Sequence, residues 1–173
     1  MKMDIVAGSG NDEFYTPPYA IFPLIKYLKA KAHIWCPFDT QDSNFVKILM
    51  QKGFRVMATH LSQNQDFFQM PPPEGCDYII SNPPYSKKAQ VLQRLFDLKV
   101  PFAMLVGVVG LFESKGRFAM FKNNNFEIMY FDKRIAYFKD FQEQKPSLNP
   151  PFSSVFVCYG ILPKQIVFEA ITR

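Results

Sequence analysis

The sequence has few of the residues that metal sites and disulfide frameworks need. It contains three cysteines and two histidines, and Cys36, Cys76 and Cys158 lie far apart along the chain. Zinc-binding cysteines usually come in closely spaced pairs, and disulfide-rich domains carry an even number of cysteines. We therefore expect reduced, buried thiols and structural histidines, and we predict no metal site.

Long apolar runs are also missing. No stretch approaches the roughly 20 apolar residues that a membrane-spanning helix needs, and the beginning of the chain has no apolar core of signal-peptide length. The composition, 48% hydrophobic and 20% charged, is typical of globular proteins, and 173 residues suffice for one domain with its own core. We expect a single domain over residues 1–173, with residues 1–12 as a flexible leader. We also expect a soluble, cytoplasmic protein without a membrane partner.

Segments with helical spacing alternate with segments that resemble buried strands. Thr16 and Pro17 are residue types of a helix cap and first turn, so a helix is predicted to begin near Pro17. The other predicted helices lie within 43–53, 87–99 and 114–124, and the strands within 32–38, 55–61, 76–82, 102–112, 126–138 and 153–162. This alternation predicts an α/β fold with a mostly parallel sheet covered by helices on both faces. No helix separates the last two strands, which are predicted to form an antiparallel pair at one edge.

The predicted strand at 76–82 ends in an unusually rigid turn, Asn82-Pro83-Pro84-Tyr85. The two prolines stiffen the backbone, and the segment offers acceptors, the Asn82 side-chain oxygen and the Pro83 carbonyl, without nearby N–H donors. Two fixed acceptors favour the change of a planar amine toward a tetrahedral nucleophile, and Tyr85 is able to stack on the ring that carries the amine. Ligands of open α/β sheets bind at such strand ends. A turn without catalytic function is the alternative, and we favour the functional interpretation.

This Asn-Pro-Pro-Tyr segment resembles the catalytic motif of the S-adenosylmethionine-dependent amino-methyltransferases. The order of segments from residue 13 to about 160 is similar to that of the adenine-N6 DNA methyltransferases, particularly small phage-type members. The resemblance implies a Rossmann-like class I methyltransferase domain, S-adenosylmethionine as the cofactor and DNA as the partner. It also implies four catalytic residues, Asn82, Pro83, Pro84 and Tyr85.

The resemblance further implies a set of cofactor-binding residues. They belong to three segments: an aromatic-Thr-Pro motif at 14–17, the first-strand motif at 34–39, and an acidic-aromatic motif at 65–67. The residues concerned are Tyr15, Thr16, Pro37, Phe38, Asp39, Asp66 and Phe67. The chain departs from the family where glycines usually follow the first strand, because residues 39–43 read DTQDS.

Substrate contacts are expected on both sides of the catalytic turn. Tyr85 is predicted to stack on the base, Lys87 and Lys88 to contact a phosphate next to it, and the long connection 139–153 to approach the substrate. Of the 20 Lys and Arg residues, 13 follow residue 66, against 9 of the 15 Asp and Glu residues, which favours a nucleic-acid partner.

Three alternatives remain open from the sequence. The same chemistry serves base amines of RNA and glutamine side chains of proteins, and the charge distribution does not separate DNA from RNA. The missing glycines leave a third alternative, a nucleic-acid-binding module that has lost its cofactor.

Overall fold

The computed structural model describes residues 15–138, 142–145 and 152–173. The predicted flexible leader, residues 1–12, lies outside these ranges, as do 139–141 and 146–151 of the predicted substrate connection. Within the described ranges, no helix combines the length and the apolar character that crossing a membrane requires.

One seven-stranded sheet organises the described part of the chain. Its strands are β1 (His33–Cys36), β2 (Arg55–Ala58), β3 (Tyr78–Ser81), β4 (Phe102–Gly107), β5 (Glu127–Phe131), β6 (Ser154–Tyr159) and β7 (Ile166–Glu169). Their spatial order is β2-β1-β3-β4-β6-β5-β7. The strands β1 to β4 are parallel, β6 is antiparallel to both β4 and β5, and β7 is parallel to β5. The predicted α/β fold with a mostly parallel sheet and an antiparallel pair, β5 and β6, is therefore confirmed.

The expected place of that pair is wrong. Strand β6 does not close an edge but lies between β4 and β5, and the edge is formed by β7, which the sequence analysis did not predict. Strand β7 is short, and both Ile166 and Phe168 are exposed. Its apolar run, 166–168, is shorter than the roughly four to eight residues that mark a buried strand.

Helices cover both faces of the sheet. They are α1 (Phe22–Ile25), which follows a 3-10 turn at Pro18–Ala20, α2 (Asn44–Gln51), α3 (Lys88–Leu98) and α4 (Lys115–Lys122). Because neighbouring strand residues point to opposite faces, Ile34 packs with α2 on one face and Trp35 packs with α3 and α4 on the other. Strand β4, between the two layers, is buried at all six positions. The buried runs and the helical spacing explain why these elements were predictable.

The strand order reverses at β1. The chain runs from β1 outward to β2 and then returns to the other side of β1, where β3 and β4 follow. In open α/β sheets, such a reversal leaves a crevice at the carboxyl ends of the two strands that flank it. The residues that follow β1 and β3, starting at Pro37 and Asn82, lie at this crevice.

Candidate active site

The ends of β1 and β3 are joined by a buried hydrogen bond. Ser81 Oγ donates to Asp39 Oδ2 over 2.5 Å, and both side chains are buried. The backbone N–H of Asp39 donates to the carbonyl of Thr59, just beyond β2, over 3.1 Å. Asp39, predicted to bind the cofactor, thus fixes the loop after β1 to the two neighbouring strands.

The Asn82 side chain is oriented by Thr16. Asn82 Nδ2 donates to the buried Thr16 Oγ1 over 3.2 Å, and Asn44 Nδ2, at the start of α2, donates to the Thr16 carbonyl over 3.0 Å. Tyr15 is held next to Thr16 by two backbone hydrogen bonds with Phe138, of 3.3 and 2.9 Å. The structure therefore brings the segment at 15–16 and the Asn-Pro-Pro-Tyr turn together, although they were predicted from separate motifs.

The rigid turn leads directly into α3. Pro84 has φ −53° and ψ 132°, and a single 3-10 turn over Tyr85–Lys87 connects it to the helix. Asn82, Pro83 and Tyr85 line one narrow pocket with a cavity volume of about 20 Å³, which we call the amine pocket after the group expected there. The extended, stiff conformation expected from the proline pair is thus present at the carboxyl end of β3.

Aromatic rings form the far side of the amine pocket. The Phe152 ring lies 6.0 Å from the Tyr85 ring and 5.7 Å from the Tyr137 ring, centroid to centroid. Gly107, at the end of β4, leaves room for Phe152, since a Cβ at this position would lie 3.2 Å from its ring. Because β6 runs antiparallel to β4, the residues that precede β6 meet the end of β4. Phe152, in the predicted substrate connection 139–153, therefore reaches the site.

The two lysines after the turn differ in their surroundings. Lys87 is exposed, and its Nζ lies 5.7 Å from the centre of the Phe68 ring. Lys88 is buried, and its Nζ donates to the carbonyls of Gly107 over 3.2 Å and Val109 over 3.3 Å. Lys88 lines the amine pocket, whereas the sequence analysis expected a lysine that reaches a phosphate.

A second pocket also borders the turn, and we call it the cofactor pocket after the predicted role of its residues. Its cavity volume of about 250 Å³ lies just below the range of roughly 300–1,000 Å³ of small-molecule sites. Its walls include Pro84 of the turn, Lys87 just after it, and four of the residues predicted to bind the cofactor, Pro37, Phe38, Asp66 and Phe67. Asp39, Tyr15 and Thr16 instead make the contacts described above, near the turn.

The loop that carries Asp66 is held by Arg94 of α3. The guanidinium donates to the carbonyls of Phe67 and Met70, the latter over 2.8 Å, and its carbon lies 4.8 Å from the centre of the Phe67 ring. Burial lowers the pKa of Arg94, and the nearby Asp66 carboxylate opposes this shift. Asp66 Oδ1 in turn accepts the N–H of Phe68 over 3.0 Å. The loop is thus tied to α3 and to itself.

The missing glycines do not strain the loop after β1. None of the residues 37–43 has a positive φ, so this turn needs no left-handed backbone conformation. Pro37 and Phe38, which line the cofactor pocket, adopt their positions without a left-handed backbone conformation. The departure from the family pattern therefore has no conformational consequence at this loop.

Sequence reasoning missed several residues of the site. Ser81 was visible as a polar residue at the end of an apolar strand, but nothing indicated that Asp39 is its partner. Phe152 and Tyr137 carried no signal, because the chain has 19 phenylalanines and 8 tyrosines. Lys88 did carry one: it precedes Val91, Leu92 and Leu95 at helical spacing, and these three are buried.

Comparisons with known proteins agree with this architecture. No protein-family model and no curated protein matches the sequence. The structure is similar to a modification subunit of a putative type I restriction enzyme from Vibrio vulnificus, with a TM-score of 0.52 and 14% identity over 99% of this chain. A TehB-like SAM-dependent methyltransferase from Corynebacterium glutamicum gives a TM-score of 0.46 and 16% identity, over 93% of this chain and 95% of that one. At such low identity the similarity to the modification subunit concerns the fold alone, and the order of the strands and helices is Rossmann-like as predicted. The chain spans about half, 49%, of the modification subunit.

Proposed function

We propose that the protein transfers a methyl group from S-adenosylmethionine to the exocyclic amine of adenine in DNA. The observation that carries this proposal is the Asn82 amide, which Thr16 orients at the carboxyl end of β3, in the wall of the amine pocket. Residues of the rigid turn line both this pocket and the cofactor pocket. A donor and an acceptor of a methyl group need such neighbouring sites, because transfer requires contact between the reacting atoms.

Asn82 and Pro83 act on the target amine in this proposal. Because Asn82 Nδ2 donates to Thr16, the amide presents its acceptor, Oδ1, on the other side. Pro83 contributes a carbonyl from a backbone that its neighbour Pro84 keeps stiff. Two fixed acceptors for the two amine hydrogens favour a tetrahedral nitrogen with an available lone pair. The methyl group that this lone pair attacks is supplied by S-adenosylmethionine when it is bound.

The residues of the cofactor pocket fit S-adenosylmethionine by their chemistry. Phe38, Phe67 and Pro84 offer apolar surface for a purine ring, and the Asp66 carboxylate offers an acceptor for a hydroxyl or an amino group. Thr16 contacts Asn82, Asp39 contacts Ser81 at the end of β3, and Tyr15 lies next to Thr16. We propose the seven residues expected from the sequence as the cofactor site: Tyr15, Thr16, Pro37, Phe38, Asp39, Asp66 and Phe67.

A nucleic-acid substrate is favoured by the charge distribution, and DNA by the fold shared with a restriction-enzyme modification subunit. The adenine has to leave the duplex stack to place its amine between Asn82 and Pro83, and Tyr85 provides a ring on which it stacks. Lys87, exposed beside the turn, is placed to contact a phosphate. A nucleic-acid substrate is also consistent with a cytoplasmic location.

Cofactor binding and methyl transfer test the proposal in sequence. Isothermal titration with S-adenosylmethionine comes first, and absence of binding at millimolar cofactor would exclude the enzyme and favour a cofactor-less binding module. Transfer of tritiated methyl groups is then compared between duplex DNA, structured RNA and a glutamine-rich protein. We expect the label to be transferred to DNA and to be recovered as N6-methyladenine after the DNA is digested with nuclease. Transfer to RNA or protein alone would identify one of the alternative substrates.

Asn82→Ala separates catalysis from folding. It should reduce methyl transfer by about 100-fold or more, as removal of preorganised polar groups does in other enzymes, with little change in cofactor affinity. Asn125→Ala, at an exposed position outside the site, is the matched control. Unchanged transfer by Asn82→Ala would remove the turn from the mechanism.

A further inference from the structure

Lys88 is a buried lysine with few compensating contacts. Only 7% of its surface is exposed, and within the described ranges its ammonium has two hydrogen-bond acceptors, the carbonyls of Gly107 and Val109. Its Nζ also lies 5.7 Å from the centre of the Tyr85 ring. No carboxylate of the described residues forms an ion pair with it. Burying such a charge without a counter-ion is unfavourable, so a purely structural role would be served better by an uncharged residue.

The surroundings of Lys88 also disfavour its charge. Burial, and to a smaller extent the positive charge of Arg117 on α4, lower the pKa of Lys88 to about 8. Groups with such shifted pKa values concentrate at ligand-binding sites. Lys88 lies in the wall of the amine pocket together with Asn82 and Tyr85. An ammonium has three N–H donors, and the two carbonyls account for two of them.

We propose that Lys88 donates its third N–H to a ring nitrogen of the base whose amine lies between Asn82 and Pro83, which makes Lys88 a specificity-determining residue of the amine pocket. This inference rests on the proposed function. Adenine carries three ring nitrogens that accept hydrogen bonds, and a fixed donor in the wall that also carries the amine acceptors defines both the identity and the orientation of the base. A pocket built to hydrogen-bond its ligand rejects analogues that lack the partner atom, because the donor is then left unpaired.

The position of the charge determines which kinetic parameter should respond. Positive charge develops on the amine during methyl transfer, and an ammonium nearby does not stabilise it. Lys88 therefore contributes to binding of the base, so its loss should raise KM for DNA much more than it lowers kcat.

Deaza analogues of adenine test the contact at a single atom. The substrates are duplexes in which all adenines are replaced by 1-deaza-, 3-deaza- or 7-deazaadenine, compared with unmodified duplex. For the wild-type protein we expect a KM at least about 10-fold higher for one of the three analogues, the usual effect of losing a hydrogen bond to a charged group. For Lys88→Met we expect a similarly raised KM for the unmodified duplex, because the donor is missing. The analogue that raises the KM of the wild-type protein should not raise the KM of this variant any further.

Other outcomes overturn the inference. If Lys88→Met raises KM by the same factor for all four substrates, the residue supports the structure and does not read the base. Equal KM values of the wild-type protein for all four substrates also contradict the contact. If Lys88→Met does not fold, as judged by circular dichroism, Lys88→Gln, which keeps N–H donors for the carbonyls, is tested by the same criterion.

Failure of the proposed function is distinct, since the wild-type protein would then transfer no methyl group to unmodified DNA. Lys122→Met, at an exposed position at the end of α4, controls for the loss of one positive charge.

Discussion

Thr16 Oγ1 accepts a hydrogen bond from Asn82 Nδ2 over 3.2 Å, and the two residues are 66 positions apart in the sequence. The contact joins the segment before the first helix to the turn after β3. It determines which side of the Asn82 amide faces the amine pocket. Two of the predicted motifs therefore form one site.

Removing the Thr16 hydroxyl should impair catalysis. Thr16→Val keeps the shape of the side chain but removes the acceptor, so the Asn82 amide loses its fixed orientation. We expect kcat to fall by about 10-fold, which corresponds to one hydrogen bond of roughly 1.4 kcal/mol, and the protein to remain folded. Tritiated-methyl transfer at saturating cofactor measures this effect. Thr16→Ser, which keeps the hydroxyl, should retain most of the activity, and equal losses in both variants would contradict the role of the hydrogen bond.

The main elements of the fold were predictable because their signals are local. Strand β4 is an unbroken apolar run. Helix α2 is capped by Ser43, whose Oγ accepts the N–H of Val46, and is followed by Gly53 with φ 91°. The Asn-Pro-Pro-Tyr turn was recognisable for the same reason, since its stiffness is a property of two adjacent prolines.

Features that depend on distant residues were not predictable. The insertion of β6 between β4 and β5 follows from long-range pairing, and no local pattern encodes strand order. The contact of Ser81 with Asp39 joins residues 42 positions apart, and that of Arg94 with the Phe67 carbonyl joins residues 27 apart. In each case the sequence shows one partner without indicating the other.

The hydrogen bond between Ser81 and Asp39 should stabilise the fold. Ser81→Ala leaves a buried carboxylate with one donor fewer, so we expect the free energy of unfolding to fall by about 1–3 kcal/mol. Urea unfolding at neutral pH measures it, and Ser153→Ala, at an exposed position, should change stability by less than about 0.5 kcal/mol. In a double-mutant cycle, the effect of Ser81→Ala should shrink when Asp39 is replaced by Ala. Strict additivity of the two substitutions would argue against a direct interaction.

Arg94 should control the order of the loop that lines the cofactor pocket. Arg94→Lys keeps the charge but cannot donate to the carbonyls of Phe67 and Met70 with one rigid group. We expect faster hydrogen exchange at the backbone amides of residues 68–70, which donate to Asp66, and about 10-fold weaker binding of S-adenosylmethionine. Exchange mass spectrometry and isothermal titration measure the two effects. Gln93→Ala, at an exposed position on the same helix, is the control, and unchanged exchange in Arg94→Lys would show that the loop is held without Arg94.

The titration of Lys88 should be visible in the pH dependence of stability. Its pKa is lowered from 10.5 to about 8 in the folded protein, mainly by burial. Between these values the unfolded chain binds the proton more strongly than the folded protein does, so the free energy of unfolding rises with pH in this window. Below pH 8 the lysine is protonated in both states, and the unfavourable burial of its charge is fully present.

Replacement of Lys88 isolates this contribution, because other groups titrate in the same range. The stability difference between the wild-type protein and Lys88→Met should shift in favour of the wild-type protein from pH 8 to pH 10, by up to about 1.4 kcal/mol per pH unit. Urea unfolding in a series of buffers measures the difference. Lys88→Gln should give the same slope, since it also removes the titrating group, although its absolute stability will differ. If the stability difference between the wild-type protein and the variant stays constant over this range, the Lys88 ammonium is as well solvated in the folded protein as in the unfolded chain. That result would contradict the burial of Lys88 against Gly107 and Val109.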